Sequence, residues 1–218
     1  MIKGVIFDFD GTLFDTMPFW AKLGLSMIKK AGLTPIEGLD DAVLFMTLEE
    51  SCQFIKKEYH LEQTVEELID NVVSEVTQFY CLEAKPKDGV CELLHELKRR
   101  GIKCVVATAS DRRLIEIALK RHRLYECFDR IFTCSELGLN KRSGEIYERC
   151  ASHMGLTPET TAVFEDILVA TRSAKESGFF TVAVEDIESA EDKEEIIKLA
   201  DLYIPSGGDF DAFWSCIE

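Results

Sequence analysis

Strand patterns and helix patterns alternate along the chain from Gly89 onward, and this alternation limits the folds that the sequence can adopt. A helical stripe of apolar residues between Val90 and Leu97 ends at Gly101, and the run Lys103–Thr108 that follows is typical of a buried strand. The same unit occurs twice more, and further strands are predicted over residues 129–134, 161–164, 180–184 and 202–204. A helical stripe is also predicted at Tyr147, Cys150, Ala151 and Met154, and an acidic tail helix is predicted near Glu191 to Leu199. Strands that alternate with helices favour a parallel sheet. The sequence therefore predicts an α/β fold.

One long segment interrupts this alternation. Residues 16–84 carry helical periodicity throughout, with the strongest apolar stripe between Val65 and Phe79. The segment begins at Thr16-Met17-Pro18, which suits a helix cap with proline in the first turn, and it is followed by Lys85-Pro86-Lys87, which is typical of a stiff linker. We therefore predict a core domain formed by residues 1–15 and 85–218, with a helical domain of residues 16–84 inserted into it.

Two aspartates follow the first predicted strand directly. Asp8 and Asp10 come after the apolar run Val5-Ile6-Phe7 and precede a turn at Gly11. Because side chains alternate between the faces of a strand, the two carboxylates are predicted to point the same way, with Phe9 packed on the other side. Two neighbouring carboxylates are costly to bury unless a cation or phosphate chemistry uses them. For this short motif alone, an acidic surface turn is the alternative.

Three further polar signals fall at the ends of predicted strands or in the loops after them. Thr108-Ala109-Ser110 offers a hydroxyl and backbone N–H groups to a phosphate oxygen. Lys141 lies in a loop and can place a positive charge on a phosphate, while Glu165-Asp166 offers the hard oxygen ligands that Mg²⁺ prefers. Each signal alone is also explained by a helix cap, a surface lysine or a solvated loop. Their common placement favours one site, because parallel α/β sheets bind ligands outside the carboxyl ends of their strands.

The composition argues against several classes of partner. The chain has 218 residues, 46% of them hydrophobic, and a formal net charge of −15, which repels polyanions. Nucleic acid and membrane are therefore not expected as partners. No apolar run has the length of a membrane span and no signal-peptide pattern is present, so a cytoplasmic protein is expected. The eight cysteines are scattered without a C-x-x-C pair, which is typical of reduced thiols rather than of disulfides or a zinc site.

With these motifs the chain resembles the haloacid dehalogenase superfamily of hydrolases. The resemblance is carried by Asp8-Phe9-Asp10-Gly11-Thr12, Thr108, Lys141 and Glu165-Asp166, in this order. The helical segment between the first two motifs is similar to the α-helical cap of the subgroup that contains β-phosphoglucomutase and phosphoglycolate phosphatase. The resemblance implies a Rossmann-like parallel sheet core, an inserted α-helical cap domain, and a small phosphorylated metabolite as substrate. The oligomeric state is left open, with a monomer favoured.

The resemblance also implies a reaction. Asp8 would attack phosphorus and form an aspartyl phosphate, while Asp10 would protonate the leaving oxygen and then activate water. This assignment agrees with general chemistry, because a carboxylate nucleophile divides one difficult displacement into two easier ones, and a second carboxyl group with a different pKa can move the proton.

The same resemblance implies the binding residues. The transferring phosphoryl group would be held by Thr108, the backbone N–H of Ala109 and Lys141. The cofactor Mg²⁺ would be bound by the Asp8 carboxylate, the Asp10 backbone carbonyl, Asp166 and Glu165, the last of these directly or through water.

Asp10 favours a phosphatase or a phosphomutase, because dehalogenases of the superfamily lack this second aspartate and phosphonatases place a lysine in the cap. We expect a Mg²⁺-dependent phosphatase, with a β-phosphoglucomutase-like phosphosugar mutase as the alternative. Trp20 stands where the mutases carry a histidine, and Leu48 stands where they carry a cap arginine, so both residues weaken the mutase alternative. Ile167 replaces the serine that usually follows the acid pair.

Substrate choice is expected to depend on the cap. Phe19, Trp20, Phe45 and Met46 are candidates for an apolar substrate wall, although aromatic residues in a helical bundle also form its core. Arg112 is a candidate contact for a second anionic group of the substrate.

Two functions of other classes fit part of the pattern. A phospho-acceptor receiver module also uses a strand-end Asp, a Thr and a Lys with Mg²⁺, but receivers are much shorter and have no helical insert between their first two strands. A catalytically silent binding protein is the second alternative. The complete set of expected catalytic residues argues against it.

Overall fold

A computed structural model of the chain describes residues 1–34, Ile36, Leu39, Met46 and 48–217. The chain divides into two compact units, one formed by Met1–Met17 with Ala84–Glu218 and the other by Pro18–Glu83. The first is an α/β unit and the second is helical. The predicted substrate-wall residue Phe45 lies outside the described residues, and the cap function of the helical unit stays a prediction.

The α/β unit contains a six-stranded sheet with the order β3-β2-β1-β4-β5-β6. All of its strand pairs are parallel, as predicted, and the predicted strand bounds agree with the structure to within one residue. From β1 the chain moves to one side of the sheet and later returns to β4 on the other side, which creates a topological switch point between β1 and β4. The strands are β1 (Gly4–Phe7), β2 (Lys103–Thr108), β3 (Arg130–Thr133), β4 (Thr161–Glu165), β5 (Phe180–Val184) and β6 (Leu202–Ile204).

Helices connect the strands and also make up the second unit. Three short 3₁₀ helices lie at Tyr125–Cys127, Pro158–Thr160 and Ile187–Ser189. The α-helices within the described residues are α1 (Met17–Trp20), α2 (Leu23–Lys30), α3 (Leu48–Glu58), α4 (Val65–Leu82), α5 (Val90–Arg99), α6 (Arg112–Arg121), α7 (Cys134–Leu137), α8 (Glu145–Met154), α9 (Leu168–Glu176), α10 (Lys193–Leu199) and α11 (Asp211–Ile217).

Both faces of the sheet are covered, which explains why β1 is buried along its whole length. On one face, Ile6 and Val105 pack in a cluster with Tyr147 and other buried residues of α8. On the opposite face, Phe7 contacts Phe164 with ring centroids 4.7 Å apart, and Phe164 in turn contacts Phe213 of α11 at 4.9 Å. Alternate side chains of the strands therefore pack into two apolar layers, one on each face of the sheet. Because a shift of one residue would move every side chain to the other face, this packing fixes the register of β1 at the centre of the sheet.

Two of the predicted boundaries that differ from the structure lie at the start of a helix. The strand predicted over residues 129–134 ends at Thr133, because the Thr133 side chain accepts a hydrogen bond from the backbone N–H of Glu136 and starts helix α7. The acidic tail helix predicted from Glu191 begins at Lys193, with Asp192 as its N-cap residue.

The helical unit has its own internal packing. Helix α4 begins with a capping box in which Thr64 and Glu67 satisfy each other's backbone N–H groups. Phe19 stacks on Phe79 with ring centroids 3.9 Å apart, and the indole N–H of Trp20 donates to the hydroxyl of the fully buried Tyr80 at 3.1 Å. Phe19 and Trp20 thus pack against helix α4, as expected for residues of a helical core.

All eight cysteines are free thiols, and Cys52, Cys104, Cys127 and Cys150 are buried. Among the described residues, no helix has the length and apolar character needed to cross a membrane.

The close approach of two loops generates a prediction about stability. Gly208 has φ 68°, and a Cβ at this position would lie 1.9 Å from the Asp88 carbonyl oxygen. Gly101 has a similar φ of 72°, but a Cβ there would meet no described atom within 4 Å. We expect Gly101→Ala to lower the free energy of unfolding by about 1–2 kcal/mol through backbone strain alone, and Gly208→Ala to lower it by roughly a further 1–3 kcal/mol through the clash.

Urea denaturation of both variants beside the wild type measures this difference. Equal losses of stability in the two variants would show that the two loops do not approach each other closely.

Candidate active site

The acidic residues gather at the carboxyl ends of β1 and β4, which is the switch point of the sheet. Asp8 directly follows β1, and its backbone N–H donates to the Phe164 carbonyl oxygen at 3.0 Å, so the ladder between the two strands continues to this residue. Glu165 is the last residue of β4, and Asp166 follows it. Side-chain oxygens of Asp8, Glu165 and Asp166 all lie within 4.8 Å of one another, and all three residues are buried. Parallel pairing therefore brings together acids that are distant in sequence.

Lys141 provides a positive charge in this cluster. Its Nζ forms ion pairs with Asp8 Oδ1 and with Glu165 Oε1, the latter at 2.7 Å. The lysine side chain is only 9% exposed, so the two ion pairs are shielded from solvent. Sequence analysis predicted that Lys141 binds phosphate. The structure shows in addition that it holds two of the acids together.

The donor set fits a divalent cation. The three carboxylates and the Lys141 ammonium carry two net negative charges when all are ionised. In the described part of the chain, Glu165 Oε2 is buried and has no hydrogen-bond partner. A buried carboxylate oxygen without a partner is costly, and hard oxygen atoms are the ligands that Mg²⁺ and Ca²⁺ prefer. The cluster therefore has the charge and the oxygen ligands that such a cation requires.

Burial and mutual repulsion perturb the titration of Asp8 and Asp166. The pKa of Asp8 is raised to about 6, because burial and the Glu165 charge, which raise it, outweigh the Lys141 charge, which lowers it. Burial also raises the pKa of Asp166 well above its ordinary value, and the charges of Asp8 and Glu165 add to this effect. For Lys141, burial lowers the pKa, but the charges of Asp8 and Glu165 outweigh burial and raise it overall.

The turn after Asp8 places Asp166. Gly11 has φ 80°, and a Cβ on this residue would lie 2.2 Å from Asp166 Oδ2, so both the backbone conformation and the space require glycine. The Thr12 hydroxyl donates to Asp166 Oδ1 at 2.9 Å. The residues that follow Asp10 in the first motif therefore hold an acid of the last motif.

Asp10 has a different set of partners from Asp8. Its Oδ1 accepts a hydrogen bond from the Thr16 hydroxyl at 2.7 Å, and its Oδ2 accepts one from the Ser110 hydroxyl at 2.5 Å. The first motif is therefore joined to the loop after β2. The described hydrogen bonds of the two carboxylates thus come from different residues, although Asp8 and Asp10 are only two residues apart.

The predicted phosphate loop begins where β2 ends. Thr108 is the last residue of β2 and is buried, and its hydroxyl accepts a hydrogen bond from the Ser110 backbone N–H at 3.0 Å. Ala109 between them is exposed. Because Ser110 also binds Asp10, the loop that carries Thr108 and Ala109 lies beside the second aspartate. Binding of phosphate by these residues stays a prediction.

A helix that follows β4 supports the lysine loop. The Ser173 hydroxyl donates to the Lys141 carbonyl oxygen at 2.7 Å, and both residues are buried. A Cβ at Gly144 would lie 1.7 Å from Ser177 Oγ and 3.0 Å from the Ser173 carbonyl oxygen. The loop therefore packs directly on helix α9, which fixes the backbone from which the Lys141 side chain extends.

Several residues of the site have no chemical motif in the sequence. Tyr147 belongs to the apolar stripe of a predicted helix and is fully buried, but its hydroxyl also donates to Glu165 Oε1 at 2.7 Å. Its signal in the sequence is a tyrosine at a core position, because a buried phenol needs a hydrogen-bond partner. Thr12, Thr16, Ser110 and Ser173 were not assigned these contacts either.

Arg112 has partners within the protein, and its contact with a substrate stays a prediction. Its guanidinium forms two hydrogen bonds with the Glu136 carboxylate, at 2.6 and 2.5 Å, and a third with the Ile131 carbonyl oxygen at 2.7 Å. An arginine paired in this bidentate way joins helices α6 and α7.

This geometry agrees with a known family of enzymes. A family model described as haloacid dehalogenase-like hydrolase matches residues 5–184, which is most of the chain. The protein belongs to this family, as the order of its motifs predicted, and it is a hydrolase. The α/β core with its switch-point acids is therefore the core of a haloacid dehalogenase-like enzyme.

Individual relatives share only a minority of their residues with this chain. The chain is 26% identical over 177 residues to the phosphorylated carbohydrates phosphatase of Thermotoga maritima, which is 81% of this chain and 82% of the relative. It is 25% identical over 212 residues to hexitol phosphatase B of Escherichia coli, with 94% and 92% covered. The solved structure of CbbY from Rhodobacter sphaeroides in complex with phosphate has the same fold, with a TM-score of 0.75, 21% identity, and 97% of each chain covered.

The raised pKa of Asp8 predicts how the stability of the cation-free protein depends on pH. Between about pH 4 and pH 6 the folded protein holds a proton on Asp8 that the unfolded chain has lost. The contribution of Asp8 to the free energy of unfolding therefore falls as the pH rises through this window, by on the order of 2–3 kcal/mol. We expect Asp8→Asn to remove this decline, because an amide does not titrate.

Urea denaturation of wild type and Asp8→Asn, in a chelator and at several pH values from about 4 to 7, measures the effect. The control is Asp15→Asn, which changes an exposed aspartate and should retain the wild-type slope. Parallel pH dependences for wild type and Asp8→Asn would contradict the prediction.

Proposed function

We propose that the protein is a Mg²⁺-dependent phosphatase that hydrolyses a small phosphomonoester through an aspartyl phosphate on Asp8. The observation that carries the proposal is the buried cluster in which Lys141 bridges Asp8 and Glu165 while Glu165 Oε2 has no partner among the described residues. Such a cluster has a nucleophile, a positive charge and cation ligands within a few ångströms of one another. Membership of the hydrolase family and phosphatase relatives support the same reaction.

In the first step, an Asp8 carboxylate oxygen attacks phosphorus, and the bond between phosphorus and the ester oxygen breaks. The leaving oxygen takes a proton from the Asp10 carboxyl group. In the second step, Asp10 accepts a proton from water, whose oxygen attacks phosphorus and releases inorganic phosphate together with the free Asp8 carboxylate. The different donors described for Asp8 and Asp10 support this division of roles, because groups with different hydrogen-bond donors can hold protons differently.

Lys141 would stabilise the negative charge that the phosphoryl oxygens carry in the transition state, together with the Thr108 hydroxyl and the Ala109 backbone N–H. The cation would be held by Asp8, Glu165 and Asp166, with the Asp10 backbone carbonyl as a further ligand. When bound, Mg²⁺ supplies positive charge that orients the phosphoryl group and offsets its negative charge.

Phosphorylated sugars or sugar alcohols are the proposed substrate class. The two relatives compared above are named for phosphorylated carbohydrates and for hexitol phosphate, and both align over more than four fifths of their length. A phosphosugar mutase would use the same first step, so interconversion of isomeric sugar phosphates is the alternative outcome of the assay.

We expect wild-type protein to release inorganic phosphate from at least one member of a panel of hexose phosphates, hexitol phosphates, phosphoglycolate and p-nitrophenyl phosphate when Mg²⁺ is present. Asp8→Asn should lower the rate by at least about a thousandfold, because an amide oxygen is a poor nucleophile and a weak cation ligand. Asp15→Asn, an exposed aspartate in the same segment, should retain wild-type activity. Phosphate release is measured colorimetrically, and far-ultraviolet circular dichroism checks the fold of each variant.

Full activity of folded Asp8→Asn would refute the proposed nucleophile. Isomerisation of a sugar phosphate that requires a bisphosphate primer, without net phosphate release, would show a mutase instead. A stable aspartyl phosphate without turnover would indicate a phospho-acceptor module.

A further inference from the structure

The two oxygens of the Glu165 carboxylate have unequal surroundings. Oε1 accepts hydrogen bonds from Lys141 Nζ and from the Tyr147 hydroxyl, each at 2.7 Å. Oε2 is equally enclosed, but it has no partner in the described part of the chain. Both protein donors therefore act on one oxygen, and the arrangement leaves the other oxygen to a ligand that the protein itself does not supply.

Glu165 is not the only partner of Lys141 among the described residues. Its ammonium also pairs with Asp8 Oδ1, and in the proposed reaction it must donate to the phosphoryl group as well. An ammonium has three protons, so hydrogen bonds to Asp8, Glu165 and phosphate would occupy all of them, and the set of partners changes as the substrate enters and leaves. The Tyr147 hydroxyl has one proton, and the structure directs it to Glu165. It is the donor that can stay on Glu165 while Lys141 changes partners.

Tyr147 is held rigidly in position. It lies on helix α8 between buried neighbours Ile146 and Cys150, it is fully buried, and its ring packs on Phe179 with centroids 6.2 Å apart. Its hydroxyl donates to Glu165 Oε1 at 2.7 Å, and a phenol that donates a hydrogen bond carries its proton and no charge. A neutral donor also leaves the net negative charge of the acid cluster unchanged, which a second lysine would not.

We propose that Tyr147 is a positioning residue that holds Glu165 Oε1 so that Oε2 faces the cation bound by the cluster of Asp8, Glu165 and Asp166. This inference rests on the proposed cation-dependent phosphatase and assigns a residue to its cation site. Tyr147 touches neither the substrate nor the cation. It acts by fixing the orientation of one ligand, as hydrogen-bond partners of metal ligands do in other proteins.

The test removes the hydroxyl and keeps the ring. We expect Tyr147→Phe to raise the dissociation constant for Mg²⁺ by about tenfold or more, measured by isothermal titration calorimetry on the full chain without substrate. The Mg²⁺ concentration that gives half-maximal phosphate release should rise by the same factor. Thermal unfolding in a chelator verifies that the variant is folded before the titration.

Tyr80→Phe is the matched control. Tyr80 is also fully buried and its hydroxyl also has a side-chain partner, the Trp20 indole N–H, but it belongs to the helical unit. Loss of this hydroxyl should leave the Mg²⁺ affinity at its wild-type value. A second comparison uses Glu165→Ala, in which Tyr147→Phe should cause no further loss of Mg²⁺ affinity, because the residue through which Tyr147 acts is then absent.

Unchanged Mg²⁺ affinity in folded Tyr147→Phe would overturn the proposal, as would a further loss of affinity in the Glu165→Ala background. If Tyr147→Phe does not fold, Tyr147→Met is titrated in its place; if neither variant folds, the hydroxyl serves the fold and the proposal fails. The proposed function is judged separately by phosphate release from wild type. Weaker Mg²⁺ binding by Tyr147→Phe, together with no phosphate release by wild type, would retain the role of Tyr147 and refute the phosphatase. Phosphate release by wild type, together with unchanged Mg²⁺ affinity in Tyr147→Phe, would refute only the role of Tyr147.

Discussion

The buried ion pairs of Lys141 with Asp8 and Glu165 are the interaction on which the site depends. Three carboxylates at the ends of two adjacent parallel strands would repel one another in a dry environment, and a single ammonium group between two of them offsets part of that repulsion. The support of this ammonium extends into the fold. Ser173 on helix α9 binds the Lys141 carbonyl oxygen, and Gly144 allows the lysine loop to approach the same helix closely. Helix α9 follows β4, which ends at Glu165, so one strand–helix unit supplies one acid partner of the ammonium and the support for the loop that carries the ammonium.

The positive charge of Lys141 offsets only part of the negative charge of the three carboxylates. An acidic cluster that can bind a cation is consistent with the family to which the chain belongs. The cluster keeps an excess of negative charge and one buried carboxylate oxygen without a described partner, Glu165 Oε2. Asp10 accepts hydrogen bonds from the hydroxyl groups of Thr16 and Ser110. Two aspartates that are almost adjacent in sequence thus have different hydrogen-bond donors among the described contacts. The proposed reaction would use such a difference, because its nucleophile must stay ionised while its proton carrier must exchange a proton.

The hydrogen-bond partners of the site come from elements that look structural in the sequence. Helical spacing correctly predicted that Tyr147 lies on the buried face of a helix, but spacing describes only where a side chain lies and not which polar atom it meets. Thr12 was part of a recognised motif, yet its contact is with Asp166, more than 150 residues away. Arg112 illustrates the same limit. The sequence places a basic residue after the phosphate loop but does not show that its guanidinium pairs with Glu136.

The sequence by itself determined the parallel α/β core, the strand bounds to within one residue, the helical interruption, the family, and the acids and lysine now found in one cluster. These features depend on local periodicity and on the rule that polar residues after parallel strands meet at one edge of the sheet. Only the tertiary structure decided which groups pair. These contacts join residues from different elements. They are the ion pairs of Lys141 and the hydrogen bonds of Thr12, Ser110, Tyr147 and Ser173. A hydrogen bond forms only when the distance between its two atoms is correct to within a few tenths of an ångström. Periodicity in a sequence does not encode distances between different elements to that precision.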